Sequence, residues 1–135
     1  MKYVLKNQEM QDIDRKTIQE IGIPGLVLME RASKAVADCV MEYAERSNKI
    51  LVIAGIGNNG GDALAAARIL LEYNYRVDYC VIGDLEKASN DLKHQFSVLN
   101  HLGYKASKAT DFSSYDFIVE GIFRSRTFQK CGRYL

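Results

Sequence analysis

The stretch of this chain whose residue types and spacing could do chemistry is Gly55-Ile56-Gly57-Asn58-Asn59-Gly60-Gly61-Asp62. Glycines permit positive φ and close backbone approach, and the amides that open a helix attract anions, so such a turn suits a phosphate or pyrophosphate. Gly55, Gly57 and Gly60 meet the G-x-G-x-x-G spacing of a dinucleotide-binding turn, and Asp84 stands where an acid could meet a ribose hydroxyl. No Gly-Lys-Ser/Thr follows, which excludes a P-loop. The carboxylate of Asp62, expected on the first helical turn, either caps the helix or faces a ligand hydroxyl or cation while the phosphate sits on Gly60 and Gly61. Asn58 and Asn59 carry amide oxygens suited to a hard cation or to hydroxyls, and Glu120 ends a later strand with a carboxylate aimed at the same sheet edge. A ligand-free tight turn and a solvated strand-end acid are the plain alternatives.

These residues need a strand before them and a helix after them, and the flanking pattern supplies both. Lys49 to Ala54 (KILVIA) is a short apolar run expected of a strand covered on both faces, and the alanine- and leucine-rich Ala63 to Leu71 reads as helix. Arg76 to Ile82 reads as a second strand, Ser89 to Leu102 as a helix with Leu92, Phe96, Leu99 and Leu102 inward, and Asp116 to Ile122 as a third strand. Gly103 is a natural helix stop. Upstream, Met10, Ile13, Thr17 and Ile21 share one face of a first helix ending near Gly22. Pro24 then opens a second helix with the stripe Leu28, Ala32, Ala35, Val36, Cys39, Val40 and Tyr43. Strand and helix alternating after two helices predicts an α/β fold, mostly parallel, and one unit over residues 1–135.

Composition narrows the partners. Eighteen basic against seventeen acidic residues leave a net charge of +1 without a long run of one sign, so neither a nucleic-acid patch nor a polybasic membrane anchor is expected. The amino terminus turns polar after five residues and nowhere do eighteen apolar residues run together, which argues against a signal peptide or a membrane span. Cys39, Cys80 and Cys131 lack paired CxxC spacing, so a reduced, cytoplasmic setting is the simplest expectation. His94 and His101 have no companion acid or cysteine at metal spacing and read as surface residues, and Tyr73, Tyr75 and Tyr79 read as packing around the second strand.

Taken together, the blocks MQDIDRKTIQEIGIPGLVLMERASKAV, GIGNNGGDALAAARIL, GDLEKASNDLKHQ and YDFIVEGIF resemble the NAD(P)HX epimerases, the YjeF N-terminal domain, over residues 10 to 123. The resemblance implies a Rossmann-like three-layer αβα sandwich that interconverts the R and S forms of hydrated NADH or NADPH, a companion dehydratase, fused or separate, using the S form. It further implies that Asn58, Asn59, Gly60, Gly61 and Asp62 bind the damaged dinucleotide, that Asn59 and Glu120 contribute to a potassium site, and that the protein forms a homodimer. Glu120 replaces the family's aspartate and Ala63 its glycine. Ring opening or water loss and return at the nicotinamide needs general acid and base groups, which the matched residues do not identify. An NAD-dependent oxidoreductase fragment and a non-catalytic nucleotide- or partner-binding module are the competing readings.

After Phe123 the resemblance breaks. The family continues with a second glycine-rich loop, whereas this chain reads RSRTFQKCGRYL. One set of codons for that tail spells GVGLSRNVEGIY in the neighbouring frame, so residues 124–135 are expected to be a frameshifted tail. A chain cut there is expected to be unstable and weakly active or inactive by itself, with a sheet edge and apolar faces uncovered.

Overall fold

The computed structural model describes residues 12–13, 15–108 and 111–122. Met10, Cys131 and the 124–135 tail lie outside them.

Three strands form a parallel sheet in the order β2-β1-β3, with β1 spanning Lys49–Ala54, β2 Arg76–Val81 and β3 Phe117–Gly121. The α/β class and the parallel order expected from the alternation are therefore borne out. Val52 pairs with Tyr79 on one side and Val119 on the other, and these three face a single hydrophobic core. With strands on both flanks, β1 is buried from Ile50 to Ala54, which is why its sequence is a continuous apolar run.

Three helices share that face: α1 (Gly25–Tyr43), α2 (Asn58–Glu72) and α3 (Asn90–His101). The middle one, α2, packs on all three strands and is flanked by α1 and α3. Its alanines Ala63, Ala65, Ala66 and Ala67 are at most 6% exposed, and their small side chains let the backbone lie close to the sheet.

The helix expected from Ala63 begins five residues earlier, at Asn58, so the glycine-rich block is itself the first turn. The buried face of α1 is Met29, Ser33, Ala37 and Val40; of the expected stripe Val40 is buried and Val36 packs on the core, while Ala35 and Tyr43 are exposed. This helix packs on another helix, where small residues allow close approach. Ser33 is tolerated because its hydroxyl reaches the carbonyl oxygens of Met29 at 2.7 Å and of Asp62 at 3.0 Å. On α3, Leu92 and Leu99 are buried as expected, but Leu102 is 51% exposed and Gln95 takes an inward place instead, its amide directed at the Met29 sulfur at 3.8 Å. Ser89 caps α3 by accepting from the Leu92 amide, and Gly103 ends it at φ +90°.

Upstream of α1 a π-helical turn, Thr17–Ile21, stops at Gly22, whose φ of +86° confirms the expected break. Its apolar side chains are not buried: Ile18 is 42% and Ile21 71% exposed. Between α3 and β3 the chain runs along the free edge of β2, where the Ser107 amide donates to the Tyr79 carbonyl at 2.7 Å. It then reaches the face opposite the helices, where the Tyr115 hydroxyl donates to Asp78 at 2.6 Å. No sequence pattern announced that edge segment, because it is polar.

Candidate functional site

The chain leaves β1 toward β2 on one side and later returns to β3 on the other. Connections therefore diverge above the carboxyl end of β1, the crevice where open α/β sheets hold ligands. Residues 55–62 occupy that place.

Close packing explains the glycines of this block more than ligand approach does. A Cβ on Gly60 would lie 1.7 Å from the Gly55 carbonyl oxygen, and one on Gly61 would lie 2.9 Å from Met29 Cε. Gly60 thus lets the start of α2 sit on the end of β1, the helix-to-strand role of the third glycine in a dinucleotide turn. Gly121 plays the matching part on β3: a Cβ there would meet Ala63 Cβ at 2.6 Å and the Asn59 carbonyl oxygen at 2.7 Å. The Gly55 amide, in turn, donates to the Gly121 oxygen at 3.0 Å, locking the two strand ends together.

The amides of Gly60 and Gly61 donate to the Gly57 carbonyl, at 3.1 and 3.3 Å. The amides open to a ligand are those of Asn58 and Asn59, which make no hydrogen bond among the described residues. Gly57, the N-cap, has an extended backbone and open space around its Cα, so the mouth of the helix is uncovered. An anion held here would meet two main-chain donors and the positive end of a fifteen-residue helix.

Asp62 does not cap α2. It lies beyond the first turn, half-buried, with its carbonyl accepting from Ser33. Glu120 is the penultimate residue of β3, exposed, and in register with Ile53 rather than with the helix-facing Val52. It reaches the expected edge of the sheet, beside Gly121, whose Cα packs against the Asn59 backbone. Asp84 follows β2 and accepts from the Glu86 amide at 3.0 Å.

Several residues of this edge escaped the sequence pattern: Gly121, Gly83 and the cap Ser89. A glycine inside a strand pattern was the one available signal, for Gly121. Away from the edge, burial pushes the Cys80 thiol above its ordinary value. His94 and His101 are exposed, as expected of surface residues.

The family model described as "YjeF-related protein N-terminus" matches residues 25–130. A protein named NAD(P)H-hydrate epimerase from Weissella koreensis is 40% identical over 116 residues, which cover 85% of this chain and 52% of that protein. A Limosilactobacillus fermentum protein of the same name is 42% identical over 118 residues, covering 85% of this chain and 56% of the relative. The crystal structure of yeast ynu0 superimposes with a TM-score of 0.66 at 26% identity, over 89% of this chain and 48% of that one. The chain thus spans about half the length of the relatives it matches.

Proposed function

We propose, from the premise that this chain belongs to the YjeF-related N-terminal family, that its glycine-rich edge binds hydrated NADH or NADPH for interconversion of the R and S forms. The observation that carries the reading is the pair of open amides at Asn58 and Asn59, at the mouth of a helix that starts on the switch point of a parallel sheet. The pyrophosphate sits on these amides, Gly60 brings the helix close to the end of β1 and Gly61 close to Met29 on α1 so as to aim them, and Asp62 follows them on the same helix. The dinucleotide is thereby held with its nicotinamide end free for chemistry.

The oxygen-only donor set of Asn59 and Glu120 fits a potassium ion, a hard cation that takes oxygen ligands and needs no fixed geometry. When bound, such an ion would neutralise phosphate charge beside the helix mouth. A homodimer, a cytoplasmic setting and a functional link to a dehydratase complete the proposal. No helix among the described residues is long and apolar enough to cross a membrane.

Calorimetric titration of the chain with hydrated NADPH and with unmodified NADPH, with and without potassium, tests the reading. The hydrate should bind, more tightly with potassium, and Asn59→Ala should weaken it at least tenfold. Equal affinity for the unmodified cofactor, or indifference to Asn59→Ala, would contradict it.

A further inference from the structure

The amino ends of β1 and β2 carry a second concave surface, at the opposite end of the sheet from the glycine turn. A cavity of about 280 Å³ opens there, with Leu71, Tyr75 and Val77 as its apolar lining and Lys49, Arg76, Asp78 and Tyr115 as its polar one. Ligand sites begin at roughly 300 Å³, so the guest that fits is of single-amino-acid size.

Lys49 and Arg76 are paired in register on the sheet face opposite the helices, and neither forms an ion pair among the described residues. Like charges directly across two strands repel, so the pair favours an anion between them. Asp116 is turned to the main chain of Lys49, accepting from its amide at 2.8 Å. Asp78, the acid among the described lining residues, takes the Tyr115 hydroxyl on Oδ2, while Oδ1 makes no hydrogen bond among the described residues. The aromatic walls are fixed by cations: Lys49 Nζ lies 5.5 Å from the centre of the Tyr115 ring, and the Arg46 guanidinium lies 4.5 Å from that of Tyr75. The carboxyl end of α2, whose dipole would repel an anion, is closed off. Arg46 donates to the Tyr73 carbonyl at 2.8 Å, and the amides of Tyr73, Asn74 and Tyr75 turn back onto the carbonyls of Ile69, Leu71 and Leu70.

We infer that this cavity is a second ligand site, one that takes a free α-amino acid with an apolar side chain. Lys49 and Arg76 hold the carboxylate, the open oxygen of Asp78 accepts from the ammonium, and Leu71, Tyr75 and Val77 receive the side chain. Two cations and one carboxylate around an apolar lining match a zwitterion with an apolar tail, and neither a plain anion nor a plain amine uses all three charges. The site stands apart from the dinucleotide reading, since it shares no residue with the glycine turn.

The test titrates the full chain with three probes, followed by the amide resonances of Arg76 and Val77: phenylalanine, phenylpropanoate, which lacks the ammonium, and phenethylamine, which lacks the carboxylate. Phenylalanine should shift both resonances and bind roughly tenfold more tightly than either relative. Lys49→Gln and Arg76→Gln should each weaken phenylalanine and phenylpropanoate by a similar factor and leave phenethylamine unchanged. Asp78→Asn should do the converse, weakening phenylalanine and phenethylamine while sparing phenylpropanoate. These side chains are half-buried or exposed, and the circular dichroism of each variant should match that of the wild type. No shift at these amides with phenylalanine, equal affinity for all three probes, or charge variants that act alike on all of them would overturn the site.

Discussion

Two glycines three residues apart illustrate how differently the same residue type is used at the site. Gly60 is required by packing, because its missing Cβ would sit at 1.7 Å from a backbone oxygen that has no free path to move. Gly60→Ala should destabilise the fold by about 3 kcal/mol, read as a fall in the denaturant midpoint at unchanged slope. Gly57 instead faces open space as an N-cap without a side-chain acceptor. Gly57→Ser should raise stability by a few tenths of a kcal/mol, because the hydroxyl can take a first-turn amide. The same change should weaken hydrated-dinucleotide binding, since cap and phosphate compete for the same donors. A variant that stabilised without affecting the ligand would move the anion site away from the helix mouth.

At the scale of elements, the contact that ties the return segment to the sheet is Tyr115 on Asp78. The hydrogen bond this phenol donates to the Asp78 carboxylate, helped by burial, pushes its pKa from the ordinary 10.0 to about 12. A folded value above the unfolded one means the contact stabilises fully below pH 10 and is lost as pH climbs through 12. Absorbance titration should show one fewer tyrosine ionising near pH 12 in Tyr115→Phe than in the wild type, and the variant's stability should decline less than the wild type's across pH 10 to 12. The neighbouring helix pair is joined differently: the Arg68 guanidinium, 12% exposed, pairs with Glu30 on α1 and with Glu72 on its own helix. Burial works against its charge, and the two carboxylates more than offset that, so its pKa lies above the ordinary value.

Across the whole molecule, the apolar residues left outside the core gather near the start of the described chain. Ile18, Ile21, Leu26 and Val27 are between 37% and 71% exposed within ten residues of sequence. Isolated exposed aliphatics are ordinary, but a run of this density is the kind of surface a protein contact covers. The proposed homodimer places its interface here. Light scattering on the full chain should give twice the monomer mass, and Ile21→Lys should return it to the monomer without loss of helical content by circular dichroism. A wild-type monomer at high concentration would remove the dimer from the proposal.

Much of the fold was legible beforehand because it depends on local periodicity. The strand KILVIA, the stops at Gly22 and Gly103 and the strand-to-helix site of the glycine block are consequences of backbone preference and apolar spacing alone. What neighbours decide was not legible. The face α1 buries is chosen by a helix packed against it, Gln95 goes inward because Met29 is there, and α2 starts at Asn58 because Gly60 and Gly121 let it approach two strand ends. The block's composition marked where an anion could bind, since glycine and helix-opening amides are properties of the chain itself. Which amides remain open, Asn58 and Asn59 rather than Gly60 and Gly61, was decided only when the Gly57 carbonyl turned back onto the latter two.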